Sequence, residues 1–490
     1  MSNHSAFQRR LSALDSLFVY AESTLRPLHF TFVLTFDGDI RFDDLVRAVS
    51  GCVHLLPGFR QRLLEVPFGI AYPTLQDDPE FRLENHVVRI CLPYGTDRAQ
   101  ALRCAFGEYQ TMLDRSHPLW RITLIEDWPD RRSAVALTIH HCLCDGVGAV
   151  RLLRTLLDTD SEISSRERAQ STWNPPPIPD PYQTIINATN ELWIRQAGTV
   201  ANLATDLTRD PFAFAERSQL GLRAVGELLG SSGRPIVSVP WNTRPPSTAR
   251  KFEEFSVEMS DIEALRRSVG GTTNDIALCV FTEGAARYMK HHHLLTDGWF
   301  RVSCGFSTRG EESSAGNLLS TMFPEIPATP MDAIDRLEAV SDETRRIKML
   351  ALPQALQRLG SVAELNPAAA MIWASSEGTR FEQVSSNPKQ NARGPAFDMR
   401  STISFVLTNV RGSRATQYLC GRKCLEQMSS VPIGSNFGYA AIIFSYDERL
   451  SFSLTADSMQ LPDLDFMKEC VKAALDDLEI RARQKTPSIS

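Results

Sequence analysis

The stretch that most constrains this chain is Thr138-Ile139-His140-His141-Cys142-Leu143-Cys144-Asp145-Gly146. Ala134 to Ile139 ahead of it has strand-like alternation, and the apolar residues Val150, Leu153 and Leu157 behind it recur at helical spacing. A strand must therefore hand over to a helix within a few residues, across a turn that contains glycine and presents two imidazoles. The ordinary histidine pKa lies near neutrality, and a strand end fixes where a ring points, so this is a suitable place for a general base. The rest of the chain is expected to build a tunnel around it.

Composition narrows the remaining classes. At 490 residues, 43% apolar and 22% charged, the chain has the length for two or three domains and the balance of an ordinary globular protein. A net charge of −6 gives no global reason to expect a nucleic-acid partner. No apolar run is long enough for a transmembrane helix. Met1-Ser2-Asn3-His4-Ser5 lacks the character of a signal peptide, so a cytoplasmic location is expected, with contact at a membrane or lipid-droplet surface left open.

The cysteines are scattered and suggest no disulfide framework. Cys142 and Cys144 beside two histidines invite a zinc reading. Four ligands within five consecutive residues cannot easily wrap one ion tetrahedrally, because neighbours on an extended chain point to opposite faces, and no metal is expected. Cys420 and Cys424 have no second pair at finger-like spacing and read as packing residues.

Taken in order, Phe30, Phe32, Leu34 and Phe36 predict a half-buried strand, followed by a helix from about Phe42 that stops at Pro57-Gly58. Phe59 to Leu63 starts an extended piece, and a helix is expected over about Asp97 to Leu113. Strands Arg121–Glu126 and Ser133–Ile139 then deliver the histidines. The proline-rich run Trp173 to Pro181 is stiff and extended, and a helical region from about Tyr182 to Leu229 follows it. The boundaries expected are 1–182, a first lobe; 183–245, a helical connection; and 246–490, a second lobe.

In that second lobe Phe252–Met259 reads as a strand, Ser260 to Glu263 opens a helix, and Ile276 to Met289 forms a longer one. Strand Phe300–Phe306 precedes the loop Ser307 to Gly310, and a helical region fills roughly 330–395. Strands are expected again at Ser401–Leu407, Ala440–Tyr446 and Leu450–Ala456, the last two as a hairpin, before an amphipathic tail helix. A second string of the same form as the first, His292 to Gly298, follows a helix and precedes a strand. It reads as a polar loop, since histidines near a helix C-terminus are mildly favoured there.

With these features in place, the chain resembles the wax ester synthase/diacylglycerol acyltransferase family, within the CoA-dependent acyltransferases that carry His-His-x-x-x-Asp-Gly. Pro57 to Leu63, Leu113 to Trp120, Asn274-Asp275, Gly316-Asn317 with Phe323-Pro324, and Phe444 through Asp463 are similar to the family's segments and run in its order. Thr408-Asn409-Val410-Arg411-Gly412-Ser413 departs from the usual Ser-Asn-Val-Pro-Gly-Pro, an alteration that bears on the substrate more than on the reaction.

The resemblance implies an α/β fold of two similar chloramphenicol-acetyltransferase-like lobes, with mixed sheets flanked by helices and the tunnel between them. It implies acyl transfer from acyl-CoA, as co-substrate with no bound cofactor, to a long-chain alcohol or diacylglycerol. A hydroxylated secondary metabolite as acceptor, or a catalytically silent binding relative, are the competing readings. His141 is assigned as the base and His140 as its packed neighbour. Asp145 either orients the imidazole or pairs with an arginine to hold the turn, with Arg309 the partner that the resemblance favours. Gly146 permits a backbone conformation or a close approach. Asn274 either donates toward the reacting carbonyl or caps the helix, and Trp120 reads as core. Two lobes in one chain can supply both walls of the site, so oligomerisation is not required.

Overall fold

The computed structural model describes residues 9–107, 111–161, 174–216, 218–219, 233–243, 246–306, 320–349, 403–434 and 437–485. Arg309, Gly316-Asn317 and most of the 330–395 region lie outside these residues.

Two mixed sheets with flanking helices form the frame. The first runs, from edge to edge, Tyr418–Leu419, Arg422–Ser429, His29–Phe36, Arg132–His140, Trp120–Trp128 and Val87–Cys91. The second runs Ser320–Met322, Trp299–Phe306, Phe405–Arg411, Tyr439–Tyr446, Arg449–Asp457 and Arg250–Glu258, with Glu325–Pro327 also paired to Trp299–Phe306. A small third sheet joins Arg9–Arg10, Thr74–Asp77 and Gln61–Leu64.

The expected hairpin is present, with Tyr439–Tyr446 antiparallel to Arg449–Asp457. Strand Arg422–Ser429 was not anticipated. It comes from the C-terminal half of the chain and pairs antiparallel with His29–Phe36 in the first sheet, with Thr31 N–H donating to Ser430 Oγ at 3.0 Å across the join.

The two sheets face each other through alternate residues of Phe405–Arg411. Phe405 and Leu407 belong to the core under the second lobe's own helices. Val406 and Val410 turn the other way, into a core shared with Phe30, Phe32, Ile139 and Val150 of the first lobe. Phe32 meets Phe444 edge-on at 5.4 Å in that shared core. On the outside, Arg98 bonds Glu254 and Glu426, each at 2.8 Å, and Phe106 stacks on Phe252 at 3.8 Å. The first lobe is thus tied to the second by an apolar seam and an arginine fork.

Several element bounds differ from the sequence expectation. The helix placed over Asp97–Leu113 is Arg98–Ala105, started by an Asp97 capping box. Pro57–Arg60 is a 3-10 turn before strand Gln61–Leu64, because proline suits a helical first turn. Ser401–Leu407 is Phe405–Arg411, so the strand runs on through Thr408 to Arg411.

The connection begins as one long helix, Pro181–Arg209, capped by Asp180 and interrupted at Asp210-Pro211. Only Thr184 and Ala188 of this helix are buried. Its outer half exposes Trp193, Val200, Leu203 and Leu207. No described helix is long and apolar enough to cross a membrane.

Candidate active site

The histidines arrive as the spacing predicts. Strand Arg132–His140 pairs antiparallel with His29–Phe36, placing His140 opposite His29. The chain then leaves the sheet, with Leu143 N–H donating to His140 O at 3.0 Å. Helix Gly146–Leu156 follows, with Asp145 as its N-cap accepting from Gly148 N–H at 2.8 Å. A carboxylate accepting there satisfies one of the helix's orphan donors and also suits the positive end of the helix dipole. Asp145 is thus built into the turn. Arg309 falls outside the described residues, so that pairing has no geometry.

Adjacent side chains diverge, and the two imidazoles have different surroundings. His141 is half-buried. Its main-chain N–H donates to Leu28 O at 3.0 Å. Phe18, on helix Ala13–Ala21, lies flat on the ring with centroids 4.0 Å apart and planes 7° apart, and Phe30 meets it edge-on at 5.6 Å. Its Nδ1 is buried, which leaves Nε2 as the nitrogen to meet a substrate. Burial among these groups, reinforced by the neighbouring His140, lowers the His141 pKa to about 4. The ring is therefore an unprotonated base at neutral pH.

His140 is fully buried and turned toward Glu22, whose Oε1 lies 3.3 Å from its Nε2. The Cys142 N–H donates to Nδ1 at 3.1 Å, so the ring's first proton sits on Nε2, facing the carboxylate. Burial alone would lower the His140 pKa; the Cys142 side chain and Glu22 outweigh that, and it is raised. Burial would raise the Glu22 pKa, but His140, the Leu28 amide and Arg115 prevail and hold it down at about 2.

Gly146 owes its place to space and not to backbone conformation. A Cβ on it would come within 2.6 Å of Val410 Cγ2 on the opposing sheet, and its φ is not positive. Trp120 is core, stacked at 4.4 Å on Phe59 and 4.5 Å on His86, with Nε1 donating to Phe59 O at 2.9 Å. Asn274 does not cap its helix. Thr272 does, in a capping box with Asp275, whose other oxygen accepts from Thr344 Oγ1 at 2.9 Å. No hydrogen bond or ring contact among the described residues joins Asn274 or Asp275 to His141.

The second His-His string is the exposed end of helix Thr273–His291, where His292 bonds Asp463 at 2.9 Å. Among the described residues, no group of three or more His, Cys, Asp or Glu is placed to hold a metal ion.

Sequence reasoning did not single out Phe18 or Glu22. The only local signal near them was the Ser12-to-Asp15 spacing that starts their helix as a capping box.

With this geometry in view, comparison with known proteins is decisive. The family model for the wax ester synthase/diacylglycerol acyltransferase catalytic domain matches residues 11–277, and the model for the C-terminal domain of the same family matches 315–479. The chain belongs to this family. It is an acyltransferase.

Among curated relatives, a probable diacylglycerol O-acyltransferase of Mycobacterium tuberculosis is 26% identical over 402 residues, 81% of this chain and 80% of that protein. The O-acyltransferase WSD of Acinetobacter baylyi is 24% identical over 469 residues, covering 93% of each chain. Among solved structures, the wax ester synthase/diacylglycerol acyltransferase of Marinobacter aquaeolei superposes with a TM-score of 0.62 at 19% identity, covering 97% of this chain and 100% of that one. A starter condensation domain of rhizomide synthetase, solved with C8-CoA and Leu-SNAC, gives 0.58 at 10% identity, covering 97% and 94%. These structural likenesses establish the shared fold.

Proposed function

We propose that this acyltransferase esterifies a long-chain alcohol or diacylglycerol with the acyl group of acyl-CoA, by direct attack and with His141 as general base. The observation that carries the reading is the His141 ring, half-buried and clamped by Phe18, in surroundings that lower its pKa and keep it neutral at pH 7. Nε2 takes the hydroxyl proton as the alcohol oxygen attacks the thioester carbonyl. The tetrahedral intermediate collapses with cleavage of the C–S bond, and the imidazolium returns its proton to the departing thiolate. No acyl-enzyme is needed, and the chain has no Gly-x-Ser-x-Gly elbow. The acyl chain and acceptor would meet in a tunnel between the lobes, with Asp145 and Gly146 shaping the turn beneath the base.

The test is purified protein with palmitoyl-CoA and a panel of alcohols, following release of free CoA thiol. Turnover with hexadecanol or diacylglycerol supports the lipid reading. Activity confined to a polar or polycyclic alcohol keeps the chemistry and changes the acceptor class. No turnover with any acceptor supports a silent relative.

The depressed His141 pKa predicts the acid limb of kcat/KM. The active, neutral form dominates above the folded pKa and is lost as pH falls through it. The limb is expected near pH 4 to 5, set by the pKa of about 4, and not near the ordinary imidazole value. A limb centred at 6.5 contradicts the enclosed base.

Insoluble acceptors also give helix Pro181–Arg209 a role at a lipid surface. Trp193, Ala197, Val200, Ala204 and Leu207 recur every three or four residues and so share one face, and all five are exposed. The outer half of such a helix offers a stripe roughly 25 Å long and about 10 Å wide. That is far below the roughly 800 Å² per partner of an ordinary protein interface, but it suffices for an interfacial helix. Co-sedimentation with phosphatidylcholine vesicles is expected to fall at least about fivefold in Trp193→Glu/Val200→Glu, by loss of buried apolar area. Equal co-sedimentation of the two proteins refutes the contact.

A further inference from the structure

Behind His141 lies a charged cluster whose members, Glu22, Glu65, Arg115 and His140, come from four separated parts of the chain. The Glu22 side chain is completely buried, whereas that of Arg115 is 29% exposed. Glu22 Oε1 accepts from Leu28 N–H at 3.0 Å and lies 3.3 Å from His140 Nε2. Its Oε2 accepts from Arg115 Nε at 3.3 Å and Nη2 at 3.0 Å. Arg115 Nη2 also donates to Val19 O at 2.6 Å, and Nη1 to the more exposed Glu65 at 3.1 Å.

The contacts of Glu22 and Arg115 lead to both sides of the His141 ring. Leu28, held by Glu22 through its N–H, accepts the His141 main-chain N–H through its carbonyl. Val19, held by Arg115, is the residue after Phe18, which lies flat on the imidazole. A completely buried carboxylate is costly unless its oxygens are bonded and its charge is paired, and here the contacts to Leu28, His140 and Val19 fall on segments that touch one of the two histidines or their clamp.

We propose that Glu22 and Arg115 are positioning residues for the reaction, which fix the plane and depth of the His141 imidazole without touching substrate. The proposal rests on the reading of His141 as the base. Glu22→Gln keeps the shape but removes the charge and presents an amide N–H₂ to a neighbour that needs an acceptor. Arg115→Lys keeps the charge but loses the planar fork that spans Val19 O and Glu22 together.

The experiment compares kcat, KM and thermal midpoint for wild type, Glu22→Gln, Glu22→Asp, Arg115→Lys and His141→Ala, with palmitoyl-CoA and hexadecanol. A small displacement of a catalytic group costs on the order of a hundredfold, so kcat is expected to fall about 30-fold or more in Glu22→Gln and about 10-fold in Arg115→Lys. Both KM values are expected to stay within about threefold, as for groups that act only in the transition state. Glu22→Asp, which keeps the charge, is expected to recover part of the loss.

A lowered thermal midpoint with wild-type kcat would make the cluster merely structural and overturn the proposal. If Glu22→Gln does not fold, Arg115→Lys decides by the same criterion. If His141→Ala keeps full activity, the base assignment falls and this proposal falls with it. If His141→Ala is inactive while Glu22→Gln or, failing that, Arg115→Lys turns over normally, only the positioning role is refuted.

Discussion

His141→Ala is expected to lower kcat by about a thousandfold, the middle of the range for loss of a positioned general base. That corresponds to about 4 kcal/mol of transition-state stabilisation. The loss should appear almost wholly in kcat, because Nε2 meets the acceptor hydroxyl only as its proton moves. The fold should tolerate the change. The ring is half-buried, and what it leaves behind is a slot against Phe18 and Phe30 in place of an unpaired charge. The same slot provides an internal control, since added imidazole can enter it, and partial recovery of CoA release identifies the missing function as proton transfer. Undiminished release from His141→Ala would remove the histidine from the mechanism.

The strand, turn and helix around His141 were legible because each signal is local. The period-2 pattern up to Ile139 gives way to helical spacing by Val150, and Asp145 sits where an N-cap must sit, three residues before the Gly148 amide it accepts from. The placement of the second His-His string at a helix end was legible for the same reason, because helix Thr273–His291 runs straight into it. In Thr272-Thr273-Asn274-Asp275, all four successive residues can cap a helix. The capping-box spacing selects Thr272 with Asp275, so the helix start needs nothing from Asn274.

What was not legible depends on partners far apart in sequence. Arg422–Ser429 has strand character only in part, and nothing local says that it will pair with His29–Phe36, whose Thr31 lies 399 residues from Ser430. Glu22 looks like an ordinary acidic residue after a helix C-terminus. Its burial follows from His140 and Arg115, which reach it from 118 and 93 residues away (140 − 22 and 115 − 22). The two alternatives for Gly146, conformation or close approach, separate only when the second sheet is in place, because the residue that decides between them is Val410.

That contact yields the second large effect. Gly146→Ala is expected to destabilise the protein by about 1–3 kcal/mol, the usual cost of forcing an extra carbon into a packed seam. The new Cβ would stand 2.6 Å from Val410 Cγ2, and neither side can yield cheaply. Valine has little freedom at χ1, and its strand is hydrogen-bonded to neighbours on both sides, Trp299–Phe306 and Tyr439–Tyr446. The strain would therefore pass to the turn, displacing Asp145 and the histidine next to it in the chain. A kcat loss of about tenfold is expected alongside the fall in stability. Val410→Ala has a cost of its own, but it clears the space the alanine needs. The double variant should accordingly be more stable than the sum of the singles by about 1–2 kcal/mol, a coupling read from four urea melts and accompanied by recovery of kcat. Additive losses would show that this glycine is required for something other than the approach of the second sheet.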